Sequence, residues 1–481
     1  MANVIPVVET LPADLLTPLA VYLKLAESTE NSFLLESVEG GESLARYSFV
    51  GAGPAMLAAG NDRQTTIIEN GKATIHELAI LDFLRAHFAG TDVLQEGELP
   101  SFVGGAIGLM NFSCAEWFEP SLKRNSKAAD DDVASFMIFR SVVAFDHAKQ
   151  TIRIVSLVFE NEANGDESQL QRLFDEAAES NAKIRSILES ESLKLPKKTG
   201  SAVSSPESNW SRPAFESAVD EIIELINAGE CYQVVLSQCF TKKTNATDVG
   251  IYRAIRSLNP SPYMFLLKFG ERSIIGASPE MLVRSRGQDL EYRPIAGTRP
   301  RGKTRNEDEM LADEMKADKK EVAEHMMLAD LGRNDLGRVA EYGSVKVADL
   351  MSVEKYSHVQ HLVSKLTAKM RADLDCFDAL AACFPAGTVS GAPKVRAIEI
   401  IKRLEPTRRG VYAGAVGYFD YSGNMDTCIA IRTLVLENGE VKIQAGAGIV
   451  ADSVPSFEFD ETVNKAAALL KAVEIAEAET S

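Results

Sequence analysis

The chain has 481 residues, with 51 Lys+Arg against 69 Asp+Glu and a formal net charge of −18. Its 45% hydrophobic and 25% charged residues are ordinary globular composition, and its length corresponds to roughly two to three domains. So acidic a surface repels nucleic acid and anionic membrane, and leaves open a cation site built from carboxylates.

Residues 1–16 lack a basic stretch followed by an apolar one, so no secretory signal is expected, and no apolar run approaches the ~18 residues of a membrane span. Six cysteines are scattered without a C-x-x-C pair, which reads as reduced thiols of a cytoplasmic protein. The β-branched runs 135–145 and 151–158 are expected to pair as strands, with Asp146-His147 near the turn. A polar surface helix is expected over 166–192. The Pro/Gly/Ser-rich stretch 193–209 reads as a linker, dividing the chain into an N-terminal domain (1–192) and a C-terminal domain (210–481).

Beyond the linker, Ser211 can cap a helix whose apolar positions Phe215, Val219, Ile222, Ile223 and Ile226 share one face, and Gly229 ends it. A strand over 231–240 sets Tyr232, Val234 and Leu236 on one side and Gln233, Val235 and Ser237 on the other. Short strands are expected at 263–269, 273–276 and 281–284, then one long charged helix over 305–330. The runs 411–419, 427–436 and 441–445 read as a meander, with Asn438-Gly439 as a tight turn, and a helix over 456–476 closes the fold. Hairpin-connected strands with helices between the groups favour an α+β layered sandwich of largely antiparallel sheets over a doubly wound parallel sheet.

Gly446-Ala447-Gly448-Ile449-Val450-Ala451 matches a dinucleotide fingerprint in form, but residues 452–455 separate it from any helix, so that reading fails. What survives is that glycines let backbone N–H groups approach an anion. Gly387 to Lys394 has the wrong spacing for a P-loop. The most informative pattern is a doubled Glu-x-x-Glu. Glu321 and Glu324 share one helix face, and Glu458 and Glu461 share another, with Lys465 a turn further on. Carboxylates converging from two helices suit Mg²⁺, although 12 of the 20 residues from 305 to 324 are charged, and such a run is commonly just a solvated face.

Five ordered motifs resemble the signatures of the chorismate-utilising enzymes. They are Pro294 to Gly302 (PIAGTRPRG), Leu328 to Asp335 ending LGRND, His361-Leu362-Val363-Ser364, Gly387-Thr388 to Lys394, and Gly446 to Val450 with Asp452 to Pro455. The resemblance spans nearly the whole chain and is strongest to the anthranilate synthase component I branch. It implies an N-terminal domain wrapped on a chorismate-binding domain, and conversion of chorismate and ammonia to anthranilate and pyruvate. It further implies a Mg²⁺ cofactor held by Glu324 and Glu461 with Glu321 and Glu458 supporting, and a separate glutamine amidotransferase subunit as ammonia source.

By the same resemblance Glu280 would protonate the leaving 4-hydroxyl, His361 would serve the elimination of pyruvate, and Gln233 and Thr388 would complete the catalytic set. Tyr412 and Arg432 would grip the enolpyruvyl carboxylate, with Gly297, Thr298, Gly446, Ala447, Gly448 and Lys465 around the substrate. Ala296 stands where para-aminobenzoate-pathway relatives carry a nucleophilic Lys, and Gln233 where isochorismate-forming relatives carry a Lys base. Those two routes are disfavoured, and they remain, with a catalytically inactive amino-acid-sensing homologue, the competing readings. Leu35, Glu36 and Ser37, with Asn259, Pro260, Ser261, Tyr263, Met264, Phe265 and Cys428, resemble the segments of a tryptophan feedback site.

Overall fold

The computed structural model describes residues 2–37, 46–95, 97–125, 133–190, 193–196, 203–356 and 359–479. Two antiparallel sheets of twelve strands each form its frame, with helices packed against them, an α+β layered sandwich as expected. In the first sheet the order runs Val4–Pro12, Thr151–Phe159, Ser141–Asp146, Tyr47–Ala52, Asn31–Glu36, Tyr263–Phe269, Arg272–Ser278, Thr433–Glu437, Glu440–Ile449, Gln233–Lys243, Glu207–Ser208, and the twelfth strand, Gly391–Ala392, pairs with Gln233–Lys243 off this path. Both sheets take strands from either side of residues 193–209. Asn31–Glu36 pairs with Tyr263–Phe269 in one, and Gly105–Met110 pairs with Ala415–Asp420 in the other.

A strand buried on both faces loses the alternation of a half-exposed one and reads as a continuous apolar run. Tyr263–Phe269 is such a strand. Phe265 and Leu267 point into the core between the sheets, where Phe33 meets Phe139 at 4.9 Å between ring centroids. Met264 and Leu266 point the other way, into a second core under the helices Pro18–Ala26, Asp248–Leu258 and Pro455–Ala478. Leu266 is fully buried there, so its truncation to Ala would cost about 2–5 kcal/mol.

Local signals place several elements as expected. Asp166 caps the helix Glu167–Glu189, and Ser211 caps Arg212–Asn227. Asn438 and Gly439 both take positive φ (52° and 72°), joining Thr433–Glu437 to Glu440–Ile449. The final helix spans Pro455–Ala478. Part of the expected linker, residues 197–202, lies outside the described residues, as do 191–192, which end the expected helix 166–192.

Three expected elements are broken instead of continuous. The run 135–145 divides at Arg140 into Ala134–Phe139 and Ser141–Asp146, which belong to different sheets, and only the latter pairs with Thr151–Phe159. The charged helix 305–330 is two helices, Arg305–Ala317 and Lys319–Gly337. Asp318 ends the first and caps the second, its carboxylate accepting from the N–H groups of Lys320 and Glu321, a bond that competes with helix continuation. The meander also fails. Ala415–Asp420 and Met425–Ile429 lie in the second sheet, Thr433–Glu437 in the first, and Arg432 turns the chain between sheets at φ 49°. All six cysteines are unpaired thiols, and no helix among the described residues is long and apolar enough to cross a membrane.

Candidate active site

A cavity of about 600 Å³ opens between the Gln233–Lys243 end of the first sheet, the Ile295–Pro300 edge of the second, and the helices Lys319–Gly337 and Pro455–Ala478. Strand parity decides what faces it. Gln233 and Val235 line the cavity, while Val234 and Leu236 enter the core. On the neighbouring strand Gly446 and Gly448 line it, and Ala447 between them lies opposite Leu236 in the core, so Ala447 offers no side chain to the cavity. A Cβ at Gly446 would lie 2.7 Å from the Tyr412 hydroxyl, and one at Gly448 2.6 Å from the Gln233 amide nitrogen. A methyl group at either position would displace a side chain that lines the cavity.

Two ionisable groups in the wall have shifted in complementary ways. Glu280 is enclosed, and burial pushes its carboxyl up to about 8, so it stays protonated at neutral pH. The Thr388 hydroxyl beside it opposes that shift only weakly, since its Oγ1 makes no well-formed hydrogen bond. His361 is pushed below the usual histidine range, first by burial, with the Arg432 charge adding to it. Its Nδ1 lies 3.0 Å from the Gly297 carbonyl and 3.0 Å from Thr298 Oγ1. A carbonyl only accepts, so Nδ1 carries the proton and the neutral ring keeps a free lone pair on Nε2. One group is a proton donor and the other a base.

Gly297 makes this possible by adopting φ 68° where the register between Ile295–Pro300 and Val359–Lys369 slips. It therefore acts from behind His361 and does not line the cavity. Tyr412 lines the wall with its phenol raised to about 12 by burial, a neutral hydrogen-bonding group. Arg432 exposes its guanidinium to the cavity, and among the described residues no carboxylate pairs with it. Lys465 donates to the Gly446 carbonyl at 3.0 Å and pairs with Glu461 at 2.6 Å.

Of the four glutamates, Glu324, Glu458 and Glu461 line the cavity. Glu321 does not. It is held by Arg299 at 3.0 Å. Burial, and after it neighbouring carboxylates, push Glu324 and Glu458 above the usual range. Mutually repelling oxygen donors of this kind fit a hard divalent cation. Among the described residues no three His, Cys, Asp or Glu side chains are gathered as a closed metal cage. Mg²⁺ does not require one, since one or two carboxylates commonly suffice with waters and substrate oxygens.

A family model for chorismate binding enzymes matches residues 30–471. The chain is 41% identical to anthranilate synthase component 1 of Pseudomonas putida over 99% of its length and 96% of that protein's. It is 43% identical to the component 1 of Acetivibrio thermocellus, covering 98% and 96%. The crystal structure of anthranilate synthase component I from Streptococcus pneumoniae superposes with a TM-score of 0.76, at 33% identity, over 95% of this chain and 98% of that one. The chain belongs to the chorismate-binding enzymes, in the anthranilate synthase component 1 family.

A second cavity of this family member, about 360 Å³, lies where the two halves share the first sheet. Leu35 stands opposite Phe265 and Glu36 opposite Met264, so segments more than two hundred residues apart in sequence form one wall. Leu35, Glu36, Ser37, Tyr263, Met264, Phe265 and Cys428 line it. Asn259, Pro260 and Ser261 do not; Asn259 ends the helix Asp248–Leu258, and Ser261 donates to the Ser278 carbonyl. The Glu36 carboxylate is occupied by Tyr252 and by Arg256 at 3.2 Å, whereas Ser37 Oγ is buried with no hydrogen-bond partner.

Sequence reasoning passed over several groups. In the main cavity they are Lys320 and Gln444, while Asp452 and Ser453, named above only within a motif, also line it; in the second, they are Arg46, Tyr418, and Asp426 with its partner Arg284 at 2.8 Å. Lys320 precedes Glu321 in a run of charges, and nothing in that run distinguishes it.

Proposed function

We propose that the chain converts chorismate and ammonia to anthranilate and pyruvate, the committed reaction of a tryptophan-forming route. The observation that carries this reading is the pairing of a protonated, buried Glu280 with a neutral His361 on one cavity wall, where Gln233 and Ala296, not lysine, occupy the two discriminating positions. A lysine at either position would supply a base for water or a covalent nucleophile. Their absence leaves an external amine as the incoming group.

Arg432 and Tyr412 would receive the enolpyruvyl carboxylate, because a guanidinium fork matches an acid in geometry and charge. Ammonia adds at ring C2, both ring double bonds shift (C1=C2 to C1=C6 and C5=C6 to C4=C5), the C4–O bond breaks, and the ammonium so formed loses a proton to solvent. Glu280 delivers its proton to the departing hydroxyl, which leaves as water. His361 Nε2 then takes the C2 proton as the C3–O bond to the enolpyruvyl group breaks and the ring becomes aromatic; the released enolpyruvate takes a proton on its methylene carbon and departs as pyruvate. Glu324 and Glu461, with Glu458 alongside, would hold Mg²⁺, which when bound would clamp the ring carboxylate of chorismate and fix the ring. Glu321, held by Arg299, would act from outside that shell.

A glutamine amidotransferase subunit would supply the ammonia in the cytoplasm, and "component 1" in the relatives' names fits a two-part enzyme. Tryptophan would occupy the second cavity as inhibitor. The deciding assay supplies chorismate, Mg²⁺ and ammonium to the isolated chain and follows anthranilate fluorescence. Metal dependence is read by chelation and Mg²⁺ restoration. Isochorismate or an aminodeoxychorismate as the sole product would overturn the reading.

A further inference from the structure

Behind the cavity wall lies a buried ion pair for which the reaction above has no use. Glu405, which ends the helix Lys394–Leu404, and Arg409, four residues further on, have side chains only 4% and 1% exposed and stand 2.7 Å apart. The guanidinium grips the carboxylate through Nε (2.9 Å) and Nη2 (2.7 Å). It also donates from Nη1 to the Val389 carbonyl at 2.7 Å and from Nη2 to the Val235 carbonyl at 2.6 Å. Its flat face lies over the rings of Phe112, at 4.6 Å, and Tyr412, at 5.5 Å. Glu405 Oε1 in turn accepts from the Ser237 N–H at 2.9 Å and the Ser237 hydroxyl at 2.6 Å, and that hydroxyl also accepts from the Gln444 amide at 2.8 Å.

Val389, Val235, Tyr412 and Gln444 all line the cavity. One guanidinium–carboxylate pair therefore touches, directly or through Ser237, four separate parts of its wall. Val389 follows Thr388, the hydroxyl beside Glu280, and Val235 is next on the cavity face after Gln233. Phe112 comes from the other side of the chain, its N–H bonded to the Gly410 carbonyl at 2.9 Å, so the N-terminal half closes over the guanidinium. A buried ion pair is a poor source of net stability compared with apolar residues of similar volume, because desolvation offsets most of the attraction. Fixed geometry is what a planar, five-donor fork supplies beyond that.

We propose that Arg409, clamped by Glu405, is a positioning residue for the reaction: it sets the separation of the Thr388–Glu280 side, the Gln233 strand and Tyr412 without touching substrate. The proposal rests on reading the cavity as the chorismate site. Arg409→Lys keeps a cation beside Glu405 and gives up the fork, and misplacing reacting groups by about 1 Å lowers turnover on the order of 10²-fold. The expected result is kcat lowered about 10–100-fold, with a much smaller change in chorismate KM and little change in melting temperature.

The double variant Arg409→Met/Glu405→Leu removes both charges together, so no lone buried charge remains to unfold it. It is expected to melt near the wild type while its kcat stays low. Wild-type kcat in either variant, or losses that follow only the folded fraction seen by circular dichroism, overturns the positioning role. A wild-type enzyme that yields no anthranilate from chorismate overturns the reading of the cavity, which an active wild type with fully active variants would leave standing.

Discussion

Glu280→Gln puts catalysis and stability in opposition, and both effects can be worked from one buried carboxyl. The ordinary carboxyl value of 4.5 is raised by burial to about 8 in the fold. Between those two values the native chain holds a proton that the unfolded chain has released. The stabilising contribution of this proton is full below 4.5 and is lost as pH rises to about 8. At about 1.36 kcal/mol per pH unit, the loss is at most ~3 kcal/mol at pH 7 and ~5 kcal/mol at pH 8 and above. Glutamine is nearly isosteric and never ionises, so the variant escapes that loss. Its melting temperature relative to the wild type is expected to rise from pH 5 to pH 8.5. The amide cannot release a proton to the departing hydroxyl, and loss of a general acid lowers kcat by about 10²–10⁴-fold. Anthranilate fluorescence at saturating chorismate between pH 5.5 and 9.5, with thermal melts at the same pH values, reads both effects. In the wild type, kcat should fall above about pH 8 as Glu280 ionises, and on the acid side only below the usual histidine range. A variant less stable than wild type at pH 8, or one that keeps its rate, would refute the assignment of a protonated acid at this position.

Replacing His361 with Met removes the free Nε2 and should let 2-amino-2-deoxyisochorismate accumulate while anthranilate and pyruvate output falls; chromatography showing unchanged anthranilate would exclude the elimination role. Gly446→Ala forces a methyl group to 2.7 Å from the Tyr412 hydroxyl, and kcat/KM for chorismate should fall about 10–100-fold with little loss of fold, as read by steady-state kinetics and melting. Tryptophan in the second cavity should raise the melting temperature, and in calorimetry it should weaken chorismate binding by the same factor as chorismate weakens tryptophan. Chorismate binding unmoved by tryptophan would remove the coupling.

What the sequence made legible follows the range of the interactions involved. Ser211, Gly229 and Asn438-Gly439 act on their own backbone, so caps and turns could be read at sight. Parity alone separated Gln233 and Val235 from Val234 and Leu236, and the structure keeps that separation. The motifs brought Glu280, His361, Tyr412, Arg432 and three of the four glutamates to one cavity. What stayed hidden depends on the other sheet. The runs 135–145 and 427–436 remain apolar and β-branched while the chain leaves one sheet for the other, because both sheets bury both kinds of face. No local pattern marks Arg140 or Arg432 as the crossing. Arg409 was hidden for the same reason: apart from Glu405, its partners lie at residues 112, 235, 389 and 412, and only the fold assembles them.

Three departures from regular backbone lie at or beside the site. Gly297 sits at φ 68° in a slipped register and aims its carbonyl at His361. Ala413, at φ 62°, follows Tyr412, and Arg432 itself stands at φ 49° between sheets. A non-glycine residue held in the left-handed region costs on the order of 1–3 kcal/mol, which neighbouring packing must offset. Ala413 is buried, and its N–H is bonded to the Ala430 carbonyl at 2.9 Å, one turn of chain from Arg432. A regular strand through 427–436 would carry Arg432 along one sheet. Broken there, the chain delivers into the cavity a guanidinium that no carboxylate among the described residues pairs with, joining Lys320 and Lys465 in a protein whose net charge of −18 would by itself repel a dianionic substrate.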